Sequence, residues 1–271
     1  MFDMVDKRKK REILELIQNK EERIFLSHIL DMAMKFEMTG HMAFTYFLNL
    51  KELSMVKSAL NALEIDYMVF RPNENLERSN ILFLPDYLKE NVEKICSQNV
   101  GCMKIIPSCY KKLFHKDYMG AIYSLGIKHE LIGDIVAKEN FAYVFYMKSI
   151  EEYLKLHLTQ VGNQEVKMEE VLLDSEEVKM LSFAQIQKEC IIPSMRADAL
   201  LSEVYHLSRK EAKEKIVKGD LLVNDRMIYF PDFVLKEGDI VSFRRCGKLK
   251  VGAKLRETRS NQLVIAIWLY C

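Results

Sequence analysis

The chain has 271 residues, of which 49% are hydrophobic and 29% are charged, so it is long enough to bury more than one core. Its formal net charge is only +1, which excludes a uniformly basic nucleic-acid-binding protein and requires any basic surface to be local. The six cysteines show no zinc-ligand spacing, so we expect reduced thiols and neither a metal nor another cofactor.

The sequence has no segment with the features of a secretory signal or a membrane anchor. Charged residues occur at Asp3 and Asp6, where a signal peptide would need an apolar run. The longest apolar stretch, 263–271, is too short to span a bilayer. We therefore expect a soluble, cytoplasmic protein that does not bind membranes.

Residues 1–85 are predicted to form an N-terminal α+β domain with a basic run at 7–11 leading into a short helix. Asn49 is a candidate helix N-cap. The stripe predicted to be buried on a second helix, 21–36, consists of Ile24, Phe25, Ile29, Met32 and Phe36. The other predicted elements are a helix over 50–63 and strands over 67–70 and 81–84.

Residues 86–180 are predicted to form a middle α+β domain, for which a sheet like that of the RNA-recognition motif (RRM-like) is one option. The recurrence of short strands and helices favours α+β layers over a helical bundle. The predicted helices cover 87–97, 117–125 and 150–158, and the predicted strands cover 102–106, 136, 141–147 and 165–171. A boundary is predicted near Pro193-Ser194, because proline disfavours helix in the residue before it.

Residues 190–271 are predicted to form a compact RNA-binding domain of two helices and a small antiparallel sheet with basic C-terminal strands. Ser194 is the expected cap of the first helix, which has Asp198 in its first turn. The second helix is predicted to begin with a capping box of Ser208 and Glu211 and to end at Gly219. After it we predict a hairpin with its turn at Asn224-Asp225 and a third strand over 240–243. The apolar C-terminal tail is expected to be a strand.

The second of these helices begins with cations. Arg209 and Lys210 occupy its first two positions, where the helix dipole disfavours positive charge by about 0.3–1 kcal/mol each. Glu211 with Lys215 and Glu214 with Lys218 have the spacing of ion pairs, which leaves Arg209, Lys210 and Lys213 without acidic partners. Because the free N–H groups of a helix start suit an anion, this pattern predicts a phosphate-binding surface.

A basic block follows the third strand. Between residues 244 and 259, seven cations stand against the single acid Glu257, a net charge of +6. We predict that this block is a phosphate-contacting sheet edge, and the alternative is an ordinary edge strand protected by lysine. The seven cations are Arg244, Arg245, Lys248, Lys250, Lys254, Arg256 and Arg259.

These C-terminal residues resemble the RNA-binding domain named after ribosomal small-subunit protein four. The sequence departs from that domain at Ala197, which replaces a leucine, and at Asp225, which replaces the usual hairpin glycine. The matching segments are Arg196-Ala197-Asp198, Leu200-Leu201, 207–212, 216–219, Val223-Asn224 and 234–239.

The resemblance implies that Arg196 contacts RNA, with Asp198 orienting this arginine or capping the helix. Together with the charge pattern, it gives one set of candidate RNA-binding residues. These are Arg196, Asp198, Ser208, Arg209, Lys210, Lys213, Lys218, Asn224, Arg244, Arg245 and Lys248.

Upstream segments resemble the bacterial YlmH family. They are 44–48, Leu76-Glu77-Arg78, 115–121, 125–128 and 132–135, and a glycine-rich turn of the family is replaced by residues 71–74. The resemblance implies a ribosome-associated protein of quality control, which binds stalled large subunits carrying peptidyl-tRNA. Its expected partners are structured RNA, namely rRNA and tRNA, and the large ribosomal subunit, and we expect a monomer when it is off the ribosome.

Two other functions stay open. An RNA-modifying enzyme or its targeting subunit is the first, but the sequence has no Gly-x-Gly for a nucleotide-like cofactor and no pseudouridine-synthase context around Asp198, so we expect no enzyme. A protein-interaction scaffold is the second, with the aromatic residues Phe141, Tyr143, Phe145 and Tyr146 as its docking face.

Overall fold

A computed structural model describes residues 2–109, 112–181, 185–224, 226–258 and 260–270, and the side chains of these residues except for 2–7 and 185. The chain divides into two compact units, residues 1–182 and residues 183–271. Of the residues that the sequence analysis names, Asp3 and Asp6 have side chains outside the described ones, and Asp225 and Arg259 lie outside the described residues. The predicted α+β fold class is confirmed, because helices and antiparallel sheets occur in both units.

The first part of the N-terminal unit is three helices with a three-stranded antiparallel sheet. Its elements are α1 (Phe2–Glu15), α2 (Lys20–Thr39), β1 (Ala43–Phe44), α3 (Leu50–Ala62), β2 (Met68–Phe70) and β3 (Asn80–Phe83), with strand order β1-β3-β2. Asn49 caps α3 as predicted, in a capping box with Glu52. The predicted burial of α2 is partly wrong, because Ile24 is 61% exposed. The buried stripe is Leu26, Ile29, Leu30 and Ala33.

The second part of the N-terminal unit is a five-stranded antiparallel sheet with helices on one face. Its elements are a short 3-10 helix (Asp86–Asn91), α4 (Val92–Asn99), β4 (Val100–Pro107), α5 (His115–Ser124), β5 (Ile132–Ala137), β6 (Ala142–Met147), α6 (Glu151–His157), β7 (Gln160–Val161), β8 (Gln164–Val171) and α7 (Glu176–Lys179). The strand order is β5-β6-β4-β8-β7. The succession β4-α5-β5-β6-α6-β8 is the ferredoxin-like arrangement.

The C-terminal unit is a six-stranded antiparallel sheet with two helices packed on one face. Its elements are β9 (Gln185–Ile192), α8 (Ala197–Val204), α9 (Arg209–Val217), β10 (Leu221–Val223), β11 (Arg226–Ile228), β12 (Ile240–Phe243), β13 (Gly247–Glu257) and β14 (Leu263–Tyr270). The strand order is β11-β10-β12-β13-β14-β9. Leu200, Leu201 and Ile216 from the helices lie in one core with alternate residues of the strands. Gly219 ends α9 with a positive φ of 78°, as predicted.

Two details of this unit differ from the sequence predictions. The sheet is larger than predicted, because β9 and the C-terminal tail β14 pair with each other and extend it. Arg196, and not Ser194, occupies the N-cap position of α8, since residues 193–195 form an irregular connection before the helix. In the part of the chain that the structure describes, no helix is long and apolar enough to cross a membrane.

Candidate RNA-binding surface

The start of α9 is an exposed helix N-terminus with an intact cap. The Ser208 hydroxyl accepts a hydrogen bond from the Glu211 N–H at 3.2 Å, and the Glu211 carboxylate accepts from the Ser208 N–H at 2.8 Å. The Ser208 hydroxyl also donates to this carboxylate at 2.7 Å, and the hydrogen bonds from the Ser208 side chain and backbone hold the pKa of Glu211 below its usual range. The carboxylate of Glu211 is therefore engaged at the cap and forms no ion pair with Lys215 among the described residues.

Arg209 and Lys210 project from this first turn into solvent. No carboxylate in the described ranges lies within ion-pair distance of either side chain, as the sequence analysis expected. Their placement opposes the helix dipole at a cost of about 0.3–1 kcal/mol each, and an anion bound at the helix start would remove this cost.

A buried carboxylate organises two further cations beside this helix. Asp198, in the first turn of α8, is fully buried, so it cannot touch RNA itself and that part of the prediction is wrong. Its Oδ1 accepts from Nε of Arg196 at 3.0 Å, and its Oδ2 lies 3.8 Å from Nζ of Lys213. Lys213 thus has an acidic partner, which the sequence analysis had not found. The side chains of Arg196 and Lys213 remain 40% and 50% exposed.

Three predicted contacts lie at the other end of α9. Lys218 is the C-cap residue, Arg244 is 3.9 Å from the Asp220 carboxylate, and Arg245 is in the turn that follows β12. A helix of nine residues is about 13 Å long, so these cations are separated from the first turn by the length of α9. The structure does not bring them together with Arg209 and Lys210.

Asn224 is committed to the hairpin. It has a positive φ of 49°, its Nδ2 donates to Asp239 at 2.8 Å, and its Oδ1 accepts from the Ile240 N–H at 2.9 Å. An amide side chain that already donates and accepts stabilises the turn, so its role as an RNA contact stays a prediction.

The basic block of β13 does not form one edge with the start of α9. Lys248 lies on the sheet face opposite the helices, because its neighbour Leu249 is in the core with them. Folding also brings acids to the block, since Arg256 pairs with Glu189 at 2.9 Å and Lys254 pairs with Glu257. The net charge counted along the sequence therefore overstates the free positive charge of this strand.

In the N-terminal unit, the sheet face opposite α5 and α6 is covered. RNA-recognition motifs stack bases on exposed aromatic residues of their sheet. Here Tyr143 and Phe145 of β6 are only 4% and 0% exposed. A Cβ at Gly133 would lie 2.8 Å from Phe145 and 2.9 Å from Phe47, which shows how closely this face is packed. Tyr143 and Phe145 are therefore not available to stack bases or to form a docking surface, whereas Phe141 is only partly buried.

The segment before α5 carries exposed cations around an exposed aromatic ring. Phe114 is 54% exposed, and Nζ of Lys112 lies 5.5 Å from its ring centroid. Lys116 is exposed on the first turn of the helix. The sequence analysis did not select these residues, although the alternation of lysine with an aromatic residue is a signal of nucleic-acid binding.

Comparison with known proteins adds two observations. The family model described as "Putative RNA-binding domain in YlmH" matches residues 99–175. Ribosome-associated protein quality control protein P2 of Bacillus subtilis (strain 168) is 22% identical over 245 residues, which cover 89% of this chain and 93% of that protein. Both matches support the resemblance to the YlmH family. A solved structure, cell division protein ylmH from Streptococcus pneumoniae, is 21% identical with a TM-score of 0.48 and covers 57% of this chain and 93% of its own.

The YlmH family model matches the N-terminal unit, whereas the sequence analysis assigned RNA contacts only to the C-terminal unit. The matched residues 99–175 run from the end of α4 to the residues after β8. They include the exposed cations and the aromatic ring before α5. For this reason the segment 112–116 becomes a second candidate surface.

Two segments that carry the YlmH resemblance meet in space around Asp134. The buried Asp134 carboxylate accepts hydrogen bonds from the backbone N–H groups of Glu77 at 3.1 Å and Arg78 at 2.9 Å. Nη1 of Arg78 donates to the carbonyls of His129 at 2.9 Å and Ile132 at 3.0 Å. These motif residues fix the connection before β3 against β5, which is a structural role.

The Asp134 cluster predicts a pH dependence of stability. Burial raises the pKa of Asp134 to about 6, against the opposing N–H bonds of Arg78 and Glu77. The folded protein therefore holds this proton more tightly than the unfolded chain, so the contribution of Asp134 to stability decreases as the pH rises. We expect a loss of about 1 kcal/mol between about pH 5 and about pH 7.

Denaturant unfolding of the wild type and of Asp134→Asn at both pH values measures this contribution. The expected result is a smaller loss of stability in the variant, because an amide does not titrate. Identical pH profiles for the two proteins would show that Asp134 does not titrate in this range.

Proposed function

We propose that this chain is a non-catalytic, cytoplasmic RNA-binding protein that associates with the large ribosomal subunit. It contacts the backbone of rRNA and tRNA through the exposed side chains of Arg196, Arg209, Lys210 and Lys213, together called the α9 surface. The role that fits this activity best is quality control of stalled subunits that carry peptidyl-tRNA.

The observation that carries the proposal is the arrangement of charges on the α9 surface. Within the described residues, the only carboxylate at ion-pair distance from its cations is the buried Asp198, which holds two of them in place. The other two cations surround the free N–H groups of a helix start and have no acidic partner in the described ranges. Cations fixed in this way around a helix N-terminus suit phosphate oxygens.

The association with ribosomes is supported by the relative from Bacillus subtilis, whose name describes a ribosome-associated quality control protein. RNA binding is supported by the family model over residues 99–175, and this match also supports the segment 112–116 as a second contact. The α9 surface and this segment lie in different units of the chain.

The salt dependence of binding to large subunits tests the proposal. If four cations contact phosphates, the affinity should fall by roughly 50-fold between about 50 and about 200 mM salt, because counterions are released on binding. Co-sedimentation with purified large subunits, with and without peptidyl-tRNA, gives this measurement. An affinity that does not change with salt would instead indicate an apolar protein interface and would overturn the proposal.

A further inference from the structure

The sheet of the C-terminal unit has a second face, which points away from α8 and α9. Successive side chains of a strand point to opposite faces of the sheet. Leu249, Val251 and Ile267 lie in the core on the helix side. Their neighbours Lys250 and Trp268 are therefore on the opposite face, where they are direct cross-strand partners. The same face carries Lys248, whose Nζ lies 5.0 Å from the ring centroid of Tyr270.

Trp268 lies flat on the sheet because a glycine is beneath it. A Cβ added at Gly252 would lie only 2.4 Å from Cζ3 and 2.9 Å from Cη2 of the indole. One face of the ring thus packs on the backbone of β13, while the residue remains partly exposed to solvent. An aromatic ring held in this way is a rigid platform with a free π-face.

The direct cross-strand partners of the two rings are cationic or uncharged. In the sheet, Lys250 lies directly opposite Ile240 of β12, and Lys248 lies opposite Ser242. On the other side, Trp268 pairs with Gln187 of β9. Within the described residues these cross-strand rows contain no carboxylate, and Glu189, which lies on the same face opposite Ala266, is paired with Arg256 at 2.9 Å. The face therefore favours an anionic partner over a basic one.

We propose that this face binds single-stranded RNA, with a base stacked on Trp268 and a phosphate contacted by Lys250. Aromatic platforms flanked by cations bind single strands because every base offers a π-face and every linkage a charge. Duplex RNA does not fit this chemistry, since its bases are already stacked. The site is separate from the α9 surface, so either one can fail without the other.

The chain's single tryptophan makes the test direct. The full-length protein is titrated with a short oligouridylate and, separately, with a duplex of the same length, while the indole emission is recorded. The single strand is expected to quench the emission with saturation, and the duplex is expected to leave it unchanged. Equal quenching by both probes, or no saturable quenching by the single strand, would overturn the proposal.

Variants separate this site from the α9 surface. Lys250→Glu is expected to raise the oligonucleotide concentration at half-quenching by roughly tenfold, whereas Lys188→Glu, an exposed charge on β9, leaves it unchanged. Trp268→Leu should weaken binding of a labelled oligouridylate by about fivefold or more. The double variant Arg209→Glu/Lys210→Glu should quench like the wild type. Loss of quenching in the double variant would contradict the assignment. Unchanged oligonucleotide binding by both Lys250→Glu and Trp268→Leu would contradict it as well.

Discussion

Replacing both Arg209 and Lys210 by glutamate is expected to weaken binding to the large ribosomal subunit by roughly a hundredfold, because two charge-assisted contacts are lost. Both side chains are exposed and have no carboxylate within ion-pair distance in the described part of the chain. Glutamate in the first turn of a helix is favoured by the dipole, so the unfolding midpoint should stay the same or rise slightly. Co-sedimentation and a denaturant melt measure the two effects.

A matched control has the same change of net charge at a different place in the same unit. Lys188 on β9 and Lys254 on β13 are both exposed, and both lie outside the first turns of α8 and α9. Lys188→Glu/Lys254→Glu is expected to retain most of the binding. If the two double variants bind equally weakly, the effect is one of overall charge, and the α9 surface has no special role.

Replacing Asp198 by asparagine is expected to weaken RNA binding by about tenfold, although the change makes the protein more positive. The buried carboxylate accepts hydrogen bonds from Nε of Arg196 at 3.0 Å and from Nη2 at 3.4 Å, and it also lies near Lys213. Without it, the guanidinium loses its fixed orientation and must be ordered when RNA binds. Filter binding with a fragment of large-subunit rRNA gives the affinity.

The exposed Asp232 provides the control for this experiment. Its charge acts on Arg196 through space, whereas the Asp198 carboxylate is hydrogen-bonded to that guanidinium. Asp232→Asn makes the same change of net charge, and we expect binding that is unchanged or slightly tighter. Tighter binding by both variants would mean that Asp198 only reduces the local positive charge and does not position Arg196.

Local features of the fold followed well from the sequence. The N-cap of α3 at Asn49, the capping box of Ser208 with Glu211 and the positive φ of Gly219 involve residues a few positions apart. Such features depend on backbone chemistry that is the same in any fold. The positions of Arg209 and Lys210 on the first turn of α9 belong to this group.

The site as a whole depended on contacts that no short segment contains. Asp198 and Lys213 are on different helices, and Arg256 meets Glu189 across the sheet, so counting charges along the chain missed both pairs. The face on which Lys248 lies follows from strand register, which only the assembled sheet defines. The sequence therefore predicted the cations and their chemistry but placed too many of them on one surface.

The most direct test of the α9 surface is the slope of log affinity against log salt concentration for large-subunit binding, measured in parallel for the wild type and Arg209→Glu/Lys210→Glu. If both cations contact phosphates, the slope of the variant should be smaller in magnitude by about 2. Equal slopes in the two proteins would show that neither side chain touches the RNA backbone.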